Sequence, residues 1–344
     1  MSFAGGGHSA RLRRAITFAL GVALAAPAVA QARPFAPLDA PPPKLQVDRG
    51  LLRASLDCTA GVRDAARTPV LLVPATGVNS DQNFSWNYER LFRARGIPYC
   101  TSDQQGDRNT NQLDIQVRGD YLTYAIRRMH RMAGRQISIL GHSQGGMAMR
   151  WPLRFWPGTR RMVDDVIGFA GTNNGTTQAN DCRGTSECSP AGAQQAANSD
   201  FTRALNSRAQ TFAGISYTEV YTKLDETVTP PREAASVAGP GDITNVAIQE
   251  ICPLATSEHL MVGTIDPAAA ALALDALAHD GPADPARIDP LVCLQPVQPG
   301  VDPISGTPQV LAALNNLFIE GGPSGPEPRL RCYVFKKGCP DKDR

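Results

Sequence analysis

Residues Ile137–Met149 read "ISILGHSQGGMAM". A short apolar run enters Gly141-His142-Ser143-Gln144-Gly145, and a helix-forming segment leaves it. The chain has 31 glycines, so the bare spacing also fits an ordinary glycine-rich turn. Context separates the two readings. A strand that turns sharply into a helix lifts the serine hydroxyl above the C-terminal edge of a sheet, where open α/β sheets place their ligands. Bulky neighbours would collide in so tight a turn, which accounts for Gly141 and Gly145. Ser143 is therefore a candidate nucleophile.

The segments around it predict the sheet. "PVLLVPAT" from Pro69 is continuously apolar, as a strand buried on both faces should be. "GIPYCTSD", "VDDVIGFAG" and "YTEVYTKLD" supply further strands. A helix is expected over 112–133, with Leu113, Val117, Tyr121 and Tyr124 as its apolar stripe. "QGGMAMRWPLRF" reads as the helix after the serine, and the alanine-rich stretch 267–279 as another. Strands alternating with helices imply a mostly parallel central sheet with helices on both faces. The fold class expected is α/β, with the strand–elbow–helix of the α/β-hydrolase fold at its centre. Residues 173–200, small and amide-rich, read as an insertion over the sheet. The proline- and glycine-rich 281–344 reads as an irregular, disulfide-pinned extension with one helix near 308–318.

Composition bounds the rest. Arg11, Arg13 and Arg14, an apolar stretch and Ala28-Val29-Ala30 form a signal-peptide pattern over 1–30. A Pro/Ala-rich lead-in over 31–50 precedes a single domain over 51–344. The apolar core of the leader is too short to span a bilayer, and no other stretch reaches that length. Removing its three arginines takes the net charge from +2 to −1, which gives no broad footprint for nucleic acid or anionic membrane. Eight cysteines in an exported chain point to four disulfides, whose pairing spacing alone leaves open. No C-x-x-C pair or Cys/His cluster speaks for a metal, and no cofactor is expected.

A serine nucleophile needs a base, and in this fold the chain order is nucleophile, acid, histidine. His130 and His142 come too early, and His142 more naturally lines the pocket beside the serine. His279 is explained by its helix terminus. His259, in the polar loop "CPLATSEHLMVG", is the candidate base. Asp225 comes first off the strand in "YTEVYTKLDETVTPP" and is the candidate acid, with Glu226 its close rival. The amide of Gln144 and the loop after Val70–Val73, through Thr76, are candidate oxyanion donors.

"LLVPATG", "GHSQGGMAMRWPLRFWP", "VYTKLDETVTPP" and "CPLATSEHLMVG" stand in the order and spacing of the Candida antarctica lipase B-like family of secreted α/β hydrolases. The resemblance runs from about Leu56 into the early C-terminal region. It implies the same assignments for Ser143, Asp225, His259, Thr76 and Gln144. It also implies disulfides Cys58–Cys100, Cys252–Cys293 and Cys332–Cys339. Cys182–Cys188 has no counterpart and is left to pair by elimination and proximity. His142 replaces a tryptophan of the fungal member and Thr172 an aspartate, both in the substrate pocket, and Gln195 matches a pocket glutamine loosely. A smaller polar residue before the serine suggests a roomier alcohol side.

The resulting expectation is a secreted serine carboxylic-ester hydrolase, extracellular or periplasmic. A lipase cleaving triacylglycerols through an acyl-enzyme leads. A short-chain carboxylesterase or a polyester hydrolase or acyltransferase shares the site. A peptidase, amidase or haloperoxidase, or an inactive hydrolase-fold binding module, ranks below. Its partners would be an ester or lipid substrate, with a lipid–water interface, and the chain would be a monomer.

Overall fold

A computed structural model describes residues 34–105, 110–182, 188–316 and 324–339. The expected signal peptide over 1–30 lies outside the described residues. Seven strands form one sheet: β1 (Leu56–Cys58), β2 (Val70–Val73), β3 (Tyr99–Ser102), β4 (Ile137–His142), β5 (Val163–Phe169), β6 (Ser216–Tyr221) and β7 (Asp242–Ala247). Their order is β1-β3-β2-β4-β5-β6-β7. The β1–β3 pair is antiparallel, and every other neighbouring pair is parallel. This is the mostly parallel α/β sheet that the sequence pattern implies.

Successive side chains of a strand point to opposite faces, so a sheet covered on both sides has two cores. Leu71 and Val73 pack with Ile137, Ile139, Leu122, Ile126 and Trp151 on one face. Val70 and Leu72 pack with Leu140, Phe169, Phe92 and Leu272 on the other. The first face is covered by the helix Ile115–Ala133 and the second by Tyr88–Arg95 and Pro267–Ala276.

Several expectations are corrected. The sequence pattern does not predict β1 and β7. β1 has only three residues, and β7 is an edge strand whose first four residues are not buried. Ile115–Ala133 begins at an Asp114 cap, and its buried stripe runs through Ile115, Leu122, Ile126 and Met129. Val117 and Tyr124, assigned to the stripe, are only half-buried. The helix after Ser143 is two pieces, Gln144–Ala148 and Arg150–Phe155. Pro152 has no N–H to return to the Ala148 carbonyl, which breaks the ladder there. The alanine-rich helix stops at Ala276, leaving His279 beyond it. The helix expected near 308–318 spans Pro303–Leu314, started by an Asp302 cap and Pro303 at its first position. The lead-in packs on the body: Phe35 bridges Phe335, and Asp120 Oδ2 accepts from the Gln46 and Val47 amides at 2.8 and 3.3 Å.

All four disulfides are present: Cys58–Cys100, Cys182–Cys188, Cys252–Cys293 and Cys332–Cys339. No helix among the described residues is long and apolar enough to cross a membrane.

Candidate active site

Ser143 sits between the end of β4 and the helix Gln144–Ala148 with φ 54° and ψ −121°. A non-glycine residue held there stores about 1–3 kcal/mol of strain, which the surrounding structure must offset. The Ser143 amide donates to the Phe169 carbonyl at 2.8 Å, pinning the turn to β5. The two glycines are explained by contact. A Cβ on Gly145 would lie 2.1 Å from the Val73 carbonyl oxygen, and one on Gly141 would lie 2.5 Å from the Gly145 carbonyl carbon. The motif is a backbone crossing that admits no side chain at either position.

Asp225, in the loop after β6, and His259, in the segment after β7, converge on this serine. His259 Nε2 lies 3.0 Å from Ser143 Oγ, and His259 Nδ1 lies 2.9 Å from Asp225 Oδ2. His259 opens a short helical turn, His259–Val262, rather than lying in a plain loop. Glu258 caps that turn by accepting from the Leu260 and Met261 amides at 2.8 and 3.0 Å. Asp225 Oδ1 accepts from the Thr227 and Val228 amides at 2.9 and 2.7 Å. The carboxylate is thereby fixed with its second oxygen toward the imidazole. Glu226 is exposed and accepts from the Thr227 hydroxyl instead. His279 and His130 bond to the Asp275 and Arg135 carbonyls, away from the serine.

Ser143, His259, Thr76, His142, Thr172 and Gln195 all line one cleft of about 550 Å³. Asp225 and the Gln144 side chain stand behind its wall. Thr76 Oγ1 accepts from Gln144 Nε2 at 3.0 Å and from Gln195 Nε2 at 2.9 Å. With both lone pairs engaged, its hydroxyl proton is left to donate toward the cleft. Thr172 donates to Gln195 Oε1 at 3.1 Å, so the two pocket residues are joined to Thr76 in one chain. The first amides of the Gln144–Ala148 helix have no acceptor within the helix.

Arg118, on the buried face of Ile115–Ala133, is a site residue that the apolar spacing of the helix does not predict. It is buried, and its guanidinium donates to Gln144 Oε1 and, at 2.6 Å, to the Pro74 carbonyl. It therefore ties the elbow to the loop that carries Thr76. Burial lowers its pKa to about 9, against the pull of Asp103, so it stays cationic at neutral pH. Its signal was a charge three residues after Ile115 and four before Leu122, on the buried face.

His142 is a second imidazole in the site, its ring centre 5.5 Å from that of His259. The Ala75 amide donates to Asn83 Oδ1 at 2.9 Å, which turns Asn83 Nδ2 toward His142 Nδ1 at 3.2 Å. The proton of neutral His142 then sits on Nε2, 3.3 Å from the His259 carbonyl. Gly263 makes room for the ring: a Cβ there would lie 2.1 Å from His142 Cδ2. Burial, reinforced by His259, lowers the His142 pKa from 6.5 to about 3.

Between those two values the unfolded chain binds a proton that the folded chain refuses. Stability contributed by His142 is complete above pH 6.5 and is lost as pH falls toward 3. The expected slope is at most ~1.4 kcal/mol per pH unit. Urea unfolding of the wild type and His142→Phe between pH 7 and 4 reads this directly, and the variant shows the shallower loss.

No family model matches the chain. Over 189 residues it is 29% identical to lipase B of Pseudozyma antarctica, covering 55% of this chain. That match spans about half, 54%, of the relative's length. The crystal structure of Aspergillus fumigatus lipase B superposes with a TM-score of 0.77 at 28% identity, covering 88% of this chain and 76% of that one.

Proposed function

We propose, for a chain that belongs to the lipase B-like α/β hydrolases, that it is an exported serine carboxylic-ester hydrolase acting through an acyl-enzyme on Ser143. The observation that carries this reading is the chain of contacts Ser143 Oγ–His259 Nε2 at 3.0 Å and His259 Nδ1–Asp225 Oδ2 at 2.9 Å, at the wall of the cleft.

His259 takes the Ser143 proton as Oγ attacks the ester carbonyl. Asp225 holds the imidazole in the Nδ1–H tautomer and stabilises the imidazolium. The tetrahedral oxyanion is received by the Thr76 hydroxyl and by the Thr76 and Gln144 amides. Each such donor contributes about 3–4 kcal/mol at the transition state. His259 then protonates the leaving alcohol, and a water activated by the same base releases the acid. Arg118 is a positioning residue, because it touches the oxyanion loop and Gln144 but not the reacting atoms.

The apolar cleft residues Val78, Trp86, Leu260, Val310 and Leu314 suit an acyl chain, and a triacylglycerol is the leading substrate class. Short-chain esters and polyesters share the same chemistry. The four disulfides support an oxidising compartment and export. Hydrolysis of p-nitrophenyl esters from acetate to palmitate is the test. Activity held or rising through the long chains supports a lipase. A sharp fall beyond butyrate makes the protein a short-chain esterase, and no hydrolysis of any ester overturns the reading.

A further inference from the structure

A groove of about 1040 Å³ shares no residue with the catalytic cleft. It lies between the strap at residues 44–56 and the far half of Ile115–Ala133. Lys44, Arg49, Arg53, Arg127, Arg128 and Arg131 line it, and no aspartate or glutamate does. None of the six cations forms an ion pair among the described residues. The positions 124, 127, 128, 131 and 132 follow one helical face, so the basic wall is continuous.

The groove is built into the fold. Asp120, buried one turn before, accepts from the Gln46 and Val47 amides and pairs with Arg331 at 3.4 Å. These contacts hold the strap across the helix. Burial, reinforced by Arg131, also lowers the Arg127 pKa, as expected where like charges gather without a counter-charge. The whole chain carries a net charge of only +2, so the concentration is local rather than a reflection of a basic protein.

We propose that this groove docks the headgroups of an anionic phospholipid surface. Charge complementarity asks for an anion. The half-buried Leu45 and Met132, which line the groove among the cations, ask for an amphiphile, since apolar side chains there would meet glycerol and acyl carbons. Single-stranded nucleic acid would be expected to stack on aromatic planes, and the lining holds one aromatic residue, Tyr124. The docking is independent of the chemistry at Ser143.

The test is co-sedimentation of the disulfide-bonded chain with vesicles of phosphatidylcholine alone or mixed with phosphatidylglycerol. Two triple variants are compared: Arg127→Glu/Arg128→Glu/Arg131→Glu on the helix wall, and Lys44→Glu/Arg49→Glu/Arg53→Glu on the strap wall. The wild type should partition at least about tenfold better into the anionic vesicles, with added salt reversing it. Each triple variant should lose at least about tenfold of that partition while hydrolysing a soluble ester at the wild-type rate. If one variant fails to fold, the other decides. Equal binding to neutral vesicles overturns the proposal. So does wild-type partition in a folded triple variant, or an oligonucleotide that displaces the vesicles from the same residues.

Discussion

Ser143→Ala is expected to lower kcat on a soluble ester by about 10⁵-fold or more, with KM nearly unchanged. The reason is specific to the site. His259 Nε2 has Ser143 Oγ as its hydrogen-bond partner at 3.0 Å, and removing that oxygen leaves a base with nothing to activate. The cleft, Thr76 and the amides survive, so the ester still binds. What disappears is an interaction made only on the way to the transition state, and such losses appear in kcat. The folded state should not suffer, because alanine at φ 54° meets backbone strain similar to that of serine. Steady-state kinetics of the purified variant beside the wild type, with a melting curve for each, measures this. Retained turnover would remove Ser143 from the mechanism.

Asp225→Asn should cost about 10⁴-fold in kcat with the fold intact. Asp225 Oδ1 is fixed by the Thr227 and Val228 amides at 2.9 and 2.7 Å. An asparagine must keep its oxygen on those two donors, so its NH2 replaces Oδ2 opposite His259 Nδ1. That nitrogen then has to accept, and the imidazole proton moves to Nε2. The proton now points at Ser143 Oγ, where a lone pair is needed. Asp225→Asn should therefore report a tautomer rather than a lost charge alone. Imidazole nitrogen shifts in the NMR spectrum distinguish the two: the proton on Nδ1 in the wild type and on Nε2 in the variant. Loss of activity with the Nδ1 proton still in place would refute this account of Asp225.

Much of the site is readable from sequence because its determinants are local. Gly141 and Gly145 are demanded by one backbone crossing, and the apolar runs of β2, β4 and β5 announce a doubly covered sheet. Asp225 follows β6 directly, and the order of acid and histidine reduces the choice to a few residues. The residues that escaped act across the fold. Arg118 looks like an ordinary exposed helix arginine until the helix is rotated by its true stripe. Asn83 fixes the His142 tautomer from 59 positions away, and no spacing rule joins them. β1 and β7 are set by pairing with β3 and β6 rather than by their own patterns. The six cations of the groove are invisible in a net charge of +2, because charge balance says nothing of where charges lie.

The most direct test of the central claim is covalent. A fluorophosphonate probe reacts only with a serine whose hydroxyl is deprotonated by a neighbouring base and whose oxyanion is held. Intact-mass and peptide analysis of the probe-treated wild type should show one adduct, on Ser143, with hydrolysis abolished in step. His259→Ala should show none. An adduct on another residue that tracks the loss of activity, or full hydrolysis after Ser143 is labelled, would contradict the account.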